Sequence, residues 1–147
     1  MKATEIIKEI INRNNDFVEK HTEEDFKPYM TSQQPDITLV SCSDSRVQPT
    51  AILKNPINRI FEIENIGNQI ATCEGSVDYG VLHLKTPVLL ILGHSDCGAL
   101  KAYMKGYETL EDSIKLELDN LNPAGLLKAE GYEFGGGLIL CGKIMPS

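Results

Sequence analysis

One stretch constrains this chain more than any other: Pro87-Val88-Leu89-Leu90-Ile91-Leu92-Gly93-His94-Ser95-Asp96-Cys97-Gly98. Five apolar residues in a row predict a strand buried on both faces, as in a parallel sheet. The run stops at Gly93 and delivers His94 and Cys97, three residues apart, at the carboxyl end of that strand. In open α/β sheets this edge is where ligands bind. A second apolar run, Ile37-Thr38-Leu39-Val40, leads into Ser41-Cys42-Ser43-Asp44-Ser45-Arg46. Two strands ending in Cys42 and in His94 plus Cys97 would give a Cys2His set, a known zinc ligand set that leaves a fourth position open for water.

The pattern around these runs alternates strands with helices. Ile6, Ile7, Ile10, Ile11, Phe17 and Val18 predict an amphipathic helix over 3–20, either packed on its own domain or laid as an arm across a partner subunit. Residues 21–36 are polar with two prolines and read as a loop. A strand at 37–41 follows, and Pro49 opens a short helix through Leu53. Residues 59–64 alternate apolar and polar, a second strand, and end in the turn Asn65-Ile66-Gly67-Asn68. Ser76 is placed to cap a helix at 77–85 that feeds the central strand at 87–92. A helix starts after Cys97, and Leu110, Ile114, Leu118 and Leu121 mark another, which Asn122-Pro123 ends. Residues 132–134 and 138–140 are strand-like, separated by three glycines, and Gly142 with Lys143 reads as a turn. The expected fold is one α/β domain over 1–147, with a mainly parallel central sheet flanked by helices.

Composition narrows the partners. A net charge of −7 and a pI of about 4.9 argue against nucleic acid as the main partner and give no sign of an anionic membrane surface. No apolar run approaches the roughly 18 residues of a membrane span. Charges among the first isoleucines leave no signal-peptide core, so a cytoplasmic location is the default expectation. The four cysteines, Cys42, Cys73, Cys97 and Cys141, are not spaced as a secreted disulfide framework.

The site residues carry more than one reading. A cysteine at the end of a buried strand is more often a packing residue, and Asp44 with Arg46 alone would be a surface ion pair. Cys42 with His94 could form a thiol nucleophile and its base. The second cysteine, Cys97, favours a metal. Two thiolates cancel the formal charge of Zn2+, and Arg46 is the nearby cation that would help restore the acidity of bound water. Asp44 then has two jobs open to it. It either pairs with Arg46 and orients zinc-bound water or hydroxide, or swings to the metal as a fourth ligand. Asp96 reads as a helix cap, with a place beside the ligands as the alternative.

Cys42-Ser43-Asp44-Ser45-Arg46 followed by His94-Ser95-Asp96-Cys97-Gly98 resembles the β-class carbonic anhydrases, whose pattern is Cys-x-Asp-x-Arg and then, roughly fifty residues on, His-x-x-Cys. Gln33-Gln34-Pro35 resembles the Gln-x-Pro before the family's first strand, and Asn65-Ile66-Gly67-Asn68 resembles its Asn-Ala-Gly-Asn turn. The stretch 75–84 resembles the helix feeding the central strand. The resemblance implies reversible hydration of carbon dioxide to bicarbonate and a proton by zinc-bound hydroxide, with one zinc per chain. It maps Cys42, His94 and Cys97 onto the zinc ligands, Asp44 and Arg46 onto the catalytic dyad, and Gln33 and Gly98 onto substrate-contacting positions. It implies a homodimer or higher homo-oligomer, with residues 1–22 as an N-terminal helical arm. Two other outcomes stay open: a zinc-binding protein without activity, and a hydrolase of carbon disulfide or carbonyl sulfide at the same metal. The chain departs from the family pattern at Glu64, where an arginine is usual. It also lacks a long helix before the last two strands, where only residues 124–131 remain.

Overall fold

A computed structural model describes residues 2–121, 132–134 and 137–144. It divides into two compact units, residues 1–33 and 34–147. The first holds α1 (Ala3–Lys20), the span its apolar spacing predicts, then α2 (Glu23–Phe26) and a 3-10 turn (Lys27–Tyr29). Those two short elements replace part of the loop expected at 21–36. The backbone N–H and hydroxyl of Thr22 both donate to the Asp25 carboxylate, at 2.7 and 3.1 Å, which starts α2.

The second unit is built on a five-stranded sheet: β1 (Ile37–Cys42), β2 (Ile60–Asn65), β3 (Val88–His94), β4 (Tyr132–Phe134) and β5 (Gly137–Ile144). The order is β2-β1-β3-β5-β4. All neighbours are parallel except β4 with β5. The apolar run at 88–92 therefore lies in the middle strand, as its composition predicts. Burial along it is uneven: Leu89 and Leu92 are buried, while Val88, Leu90 and Ile91 are half-buried.

Neighbouring residues of β1 point to opposite faces, and each face has its own core. Val40 packs with Ile63, Val77 and Leu89 on one side, Leu39 with Val47 and Leu92 on the other. Burial on both sides is what a parallel strand requires. β1 and β3 run side by side, Ser41 beside Leu92, so their carboxyl ends open at the same edge. The fold thereby brings Cys42 next to the His94–Cys97 loop, 52 to 55 residues away in sequence.

Three connections differ from expectation. The short helix after Pro49 is a 3-10 turn ending at Ala51. The helix before β3 starts at Glu74 (α3, Glu74–Asp78), with Cys73 and not Ser76 at its N-cap. It then widens into a π-turn, Tyr79–His83, where the Leu84 N–H donates to the Tyr79 carbonyl at 2.9 Å. Gly80 in that turn lies so close to β1 that a Cβ would overlap Thr38 Oγ1. After β3 come α4 (Gly98–Lys105) and α5 (Asp112–Leu118). β5 runs straight through Gly142 and Lys143, where a turn was expected, because both pair with β3. The short 124–131 connection and the Asn122-Pro123 helix end lie outside the described residues.

Candidate metal centre

Cys42 is the last residue of β1 and His94 the last of β3; Cys97 caps α4. Their ligand atoms all lie within 4.8 Å of one another, and all three residues are buried. The sulfurs of Cys42 and Cys97 are 4.0 Å apart. His94 Nδ1 donates to the Ser95 carbonyl at 3.0 Å, which leaves Nε2 as the lone-pair nitrogen. That Nε2 is buried and has no hydrogen-bond partner. An orphaned buried nitrogen costs free energy unless something occupies its lone pair. Two sulfurs and this nitrogen are a donor set for zinc, so the residues present fit the ion the sequence implies.

Electrostatics prepare one thiolate. The hydrogen bond from the Cys42 thiol pulls Cys97 down to about 5, and the Leu100 and Ala99 amides at the start of α4 add to this. Cys42 is pushed up by the same sharing and by burial, partly offset by the backbone N–H groups of Gly67 and Asp44.

Asp44 sits beside this cluster with Oδ2 3.8 Å from His94 Nε2, too far for a hydrogen bond. Arg46 fixes it with three donors: its backbone N–H and Nε reach Oδ1 at 3.0 and 2.8 Å, and Nη2 reaches Oδ2 at 2.7 Å. Those bonds hold the Asp44 carboxyl well below the usual carboxylate range. Asp44 is thus paired with Arg46. Arg46 Nη2 also reaches the Asp96 carbonyl at 3.4 Å, tying the Asp44–Arg46 pair to the loop between His94 and Cys97. Asp96 itself, at φ 60°, is not the cap of α4; its carboxylate pairs with Lys101.

The structure thus gathers Cys42, Asp44, Arg46, His94 and Cys97. Gly98 follows directly as the exposed first residue of α4, with nothing within 4 Å of where a Cβ would stand. Gln33 is exposed and is the last residue of the N-terminal unit. The turn after β2 starts beside the site, since Asn65 is the register partner of Cys42 and its carbonyl accepts the Ser43 N–H at 3.0 Å. The Asn-x-Gly-Asn pattern with a polar residue behind it was the available signal.

A sequence profile of the carbonic anhydrase family matches residues 37–133. The chain belongs to the β-carbonic anhydrase family. Carbonic anhydrases of Synechococcus elongatus and Synechocystis are each 33% identical to it, over 59% and 64% of this chain. Those matches cover 35% and 36% of the two proteins, so the chain spans about a third of the length of these curated relatives. Among solved structures, the β-carbonic anhydrase of Coccomyxa in complex with acetazolamide aligns with a TM-score of 0.67 at 26% identity, over 80% of this chain and 59% of that one. A tetrameric β-carbonic anhydrase of Sordaria macrospora aligns at 0.66 and 26% identity, over 78% and 61%. In this family member, the buried Cys-His-Cys group lies at the sheet edge where the chain's two site motifs converge.

Proposed function

We propose that this chain catalyses the reversible hydration of carbon dioxide to bicarbonate and a proton, with one zinc ion held by Cys42, His94 and Cys97. One observation carries the reading: an orphaned, buried imidazole nitrogen faces two cysteine sulfurs, with an arginine-locked carboxylate 3.8 Å from it. A structural metal site needs no such carboxylate. Zinc bound there supplies Lewis acidity, which makes hydroxide available near neutral pH.

The chain's own residues do the orienting. Asp44 is ionised and can only accept hydrogen bonds. Oδ1 already accepts two donors, whereas Oδ2 accepts one and keeps a lone pair beside His94. Asp44 takes the O–H of the attacking nucleophile there, so that an oxygen lone pair faces the carbon of carbon dioxide. Its depressed basicity makes it a poor proton acceptor, so the released proton goes to solvent or buffer. Arg46 holds Asp44 in that role. Gln33 and Gly98 serve as substrate contacts, Gly98 by leaving the approach beside Cys97 free of a side chain.

The family relatives include tetramers, and we read this chain as a homodimer or a multiple of one, with residues 1–22 as the arm. A reducing, cytoplasmic setting suits the free thiols Cys42, Cys73 and Cys97. Nucleic acid and membrane are not partners in this reading. Among the described residues, no helix is long and apolar enough to cross a membrane.

Asp44→Ala tests the reading. The variant should keep zinc near one per chain and lose roughly 10²-fold or more in kcat/KM for hydration. Zinc retained with an undiminished rate would remove Asp44 from the mechanism.

A further inference from the structure

The turn at the end of β2 lies between two of the segments that build the candidate metal centre. On one side it meets the exit of β1: Asn65 is the register partner of Cys42, and its carbonyl accepts the Ser43 N–H at 3.0 Å. On the other it meets the start of α4. A Cβ on Gly67 would stand 3.4 Å from the Cβ of Ala99, which follows Cys97 by two residues, and 2.8 Å from Leu121 Cδ2. Gly67 also holds φ +82°, a conformation that disfavours any side chain. The turn is thus a spacer between the strand end that carries Cys42 and the helix start that carries Cys97.

The Asn65 side chain locks this spacer. Its Oδ1 accepts the Gln69 N–H at 2.8 Å, and its Nδ2 donates to the Gln69 carbonyl at 2.6 Å. Two bonds to one residue close the stretch 65–69 into a ring and restrain rotation of the Asn65 backbone. An aspartate would set a second acceptor against the Gln69 carbonyl, so one donor and one acceptor are what this position uses. The Asn65 carbonyl therefore keeps its direction, and it serves two donors: the Ser43 N–H, and the Asn68 N–H at 3.4 Å. A peptide unit is planar, so pinning the Ser43 N–H orients the whole Cys42–Ser43 peptide. That peptide constrains both the backbone beneath the Cys42 sulfur and the direction in which the chain leaves for Asp44.

We infer that Asn65 is a positioning residue for the metal centre, acting through its own carbonyl and the Cys42–Ser43 peptide to hold Cys42 in register with Cys97. The inference rests on the reading of Cys42, His94 and Cys97 as metal ligands. Groups that orient a ligating residue from behind contribute to metal affinity.

The test uses the full chain loaded with cobalt(II), whose visible and thiolate-to-metal charge-transfer bands report the arrangement of the donor atoms. The wild type should show the charge-transfer bands. Asn65→Ala should bind cobalt with altered bands, and its zinc dissociation constant should rise about 10-fold or more. Asn65→Ser, too short to grip Gln69 at both points, is the second variant should the first fail to fold. Val77→Ala, which opens the core formed with Val40, Ile63 and Leu89, should lower Tm while leaving the bands and the zinc affinity unchanged. A folded Asn65 variant with wild-type bands or wild-type zinc affinity would overturn the inference alone, as would a Val77→Ala protein that changes both as much. A wild type without thiolate-to-cobalt charge transfer would overturn the metal reading with it.

Discussion

Asp44 is the residue whose chemistry depends most on one neighbour. With three donors from Arg46 on it, its carboxyl lies below its ordinary value of 3.8 in the folded chain. The pair's stabilisation is therefore fully present above about pH 4 and is lost as pH falls through the depressed folded value. Thermal melts of metal-free protein between pH 6 and 2 should show the wild type ahead of Asp44→Asn at the upper end, with the lead closing on acidification. A constant lead to the lowest pH would contradict the ion pair as drawn. His94, by contrast, is set up by geometry: one ring nitrogen is committed to the Ser95 carbonyl, and the other is left buried and unpaired. The Cys42, His94 and Cys97 cluster was legible from residue type and position because each residue follows or ends an apolar run. The way Arg46 divides three donors between the two oxygens of Asp44 was not, because loop geometry sets it and no residue spacing encodes it.

At the level of elements, the apolar runs at 37–40 and 88–92 announced their strands because burial on both faces leaves no polar residue to interrupt them. Helix starts were harder. α3 has its N-cap at Cys73, which makes no side-chain capping bond, so the Ser76 signal misled by three residues. The π-turn after it was invisible for another reason: it is set by contact with β1. Gly80 approaches Thr38, whose Oγ1 lies 2.7 Å from that of Thr86, and Thr86 donates its N–H to the Gly80 carbonyl at 3.2 Å. A methyl group at Gly80 would displace Thr38 and break this buried contact. Gly80→Ala should therefore destabilise by about 1–3 kcal/mol, in the range of core overpacking, measured by urea denaturation. A neutral or stabilising result would show that the helix can withdraw from β1. β5 shows the opposite override, with strand pairing to β3 carrying Gly142 and Lys143 past their turn tendency.

At the level of the whole molecule, α1 carries its apolar residues outward: Ile6, Ile7, Ile10, Ile11, Phe17 and Val18 are all exposed. An apolar stripe of this kind marks an association surface, and the proposed homo-oligomer gives it an occupant. The wild type should sediment as a dimer or larger, and the pair of substitutions Ile7→Glu and Ile10→Glu should shift it toward monomer. A monomeric wild type would contradict the arm. The central claim, though, is chemical, and stopped-flow carbon dioxide hydration with zinc content determined on the same sample tests it most directly. The account predicts zinc near one per chain and rapid hydration that a chelator abolishes. Zinc near one per chain without hydration across a range of pH would contradict it, leaving a protein that holds the metal but does not carry out the reaction.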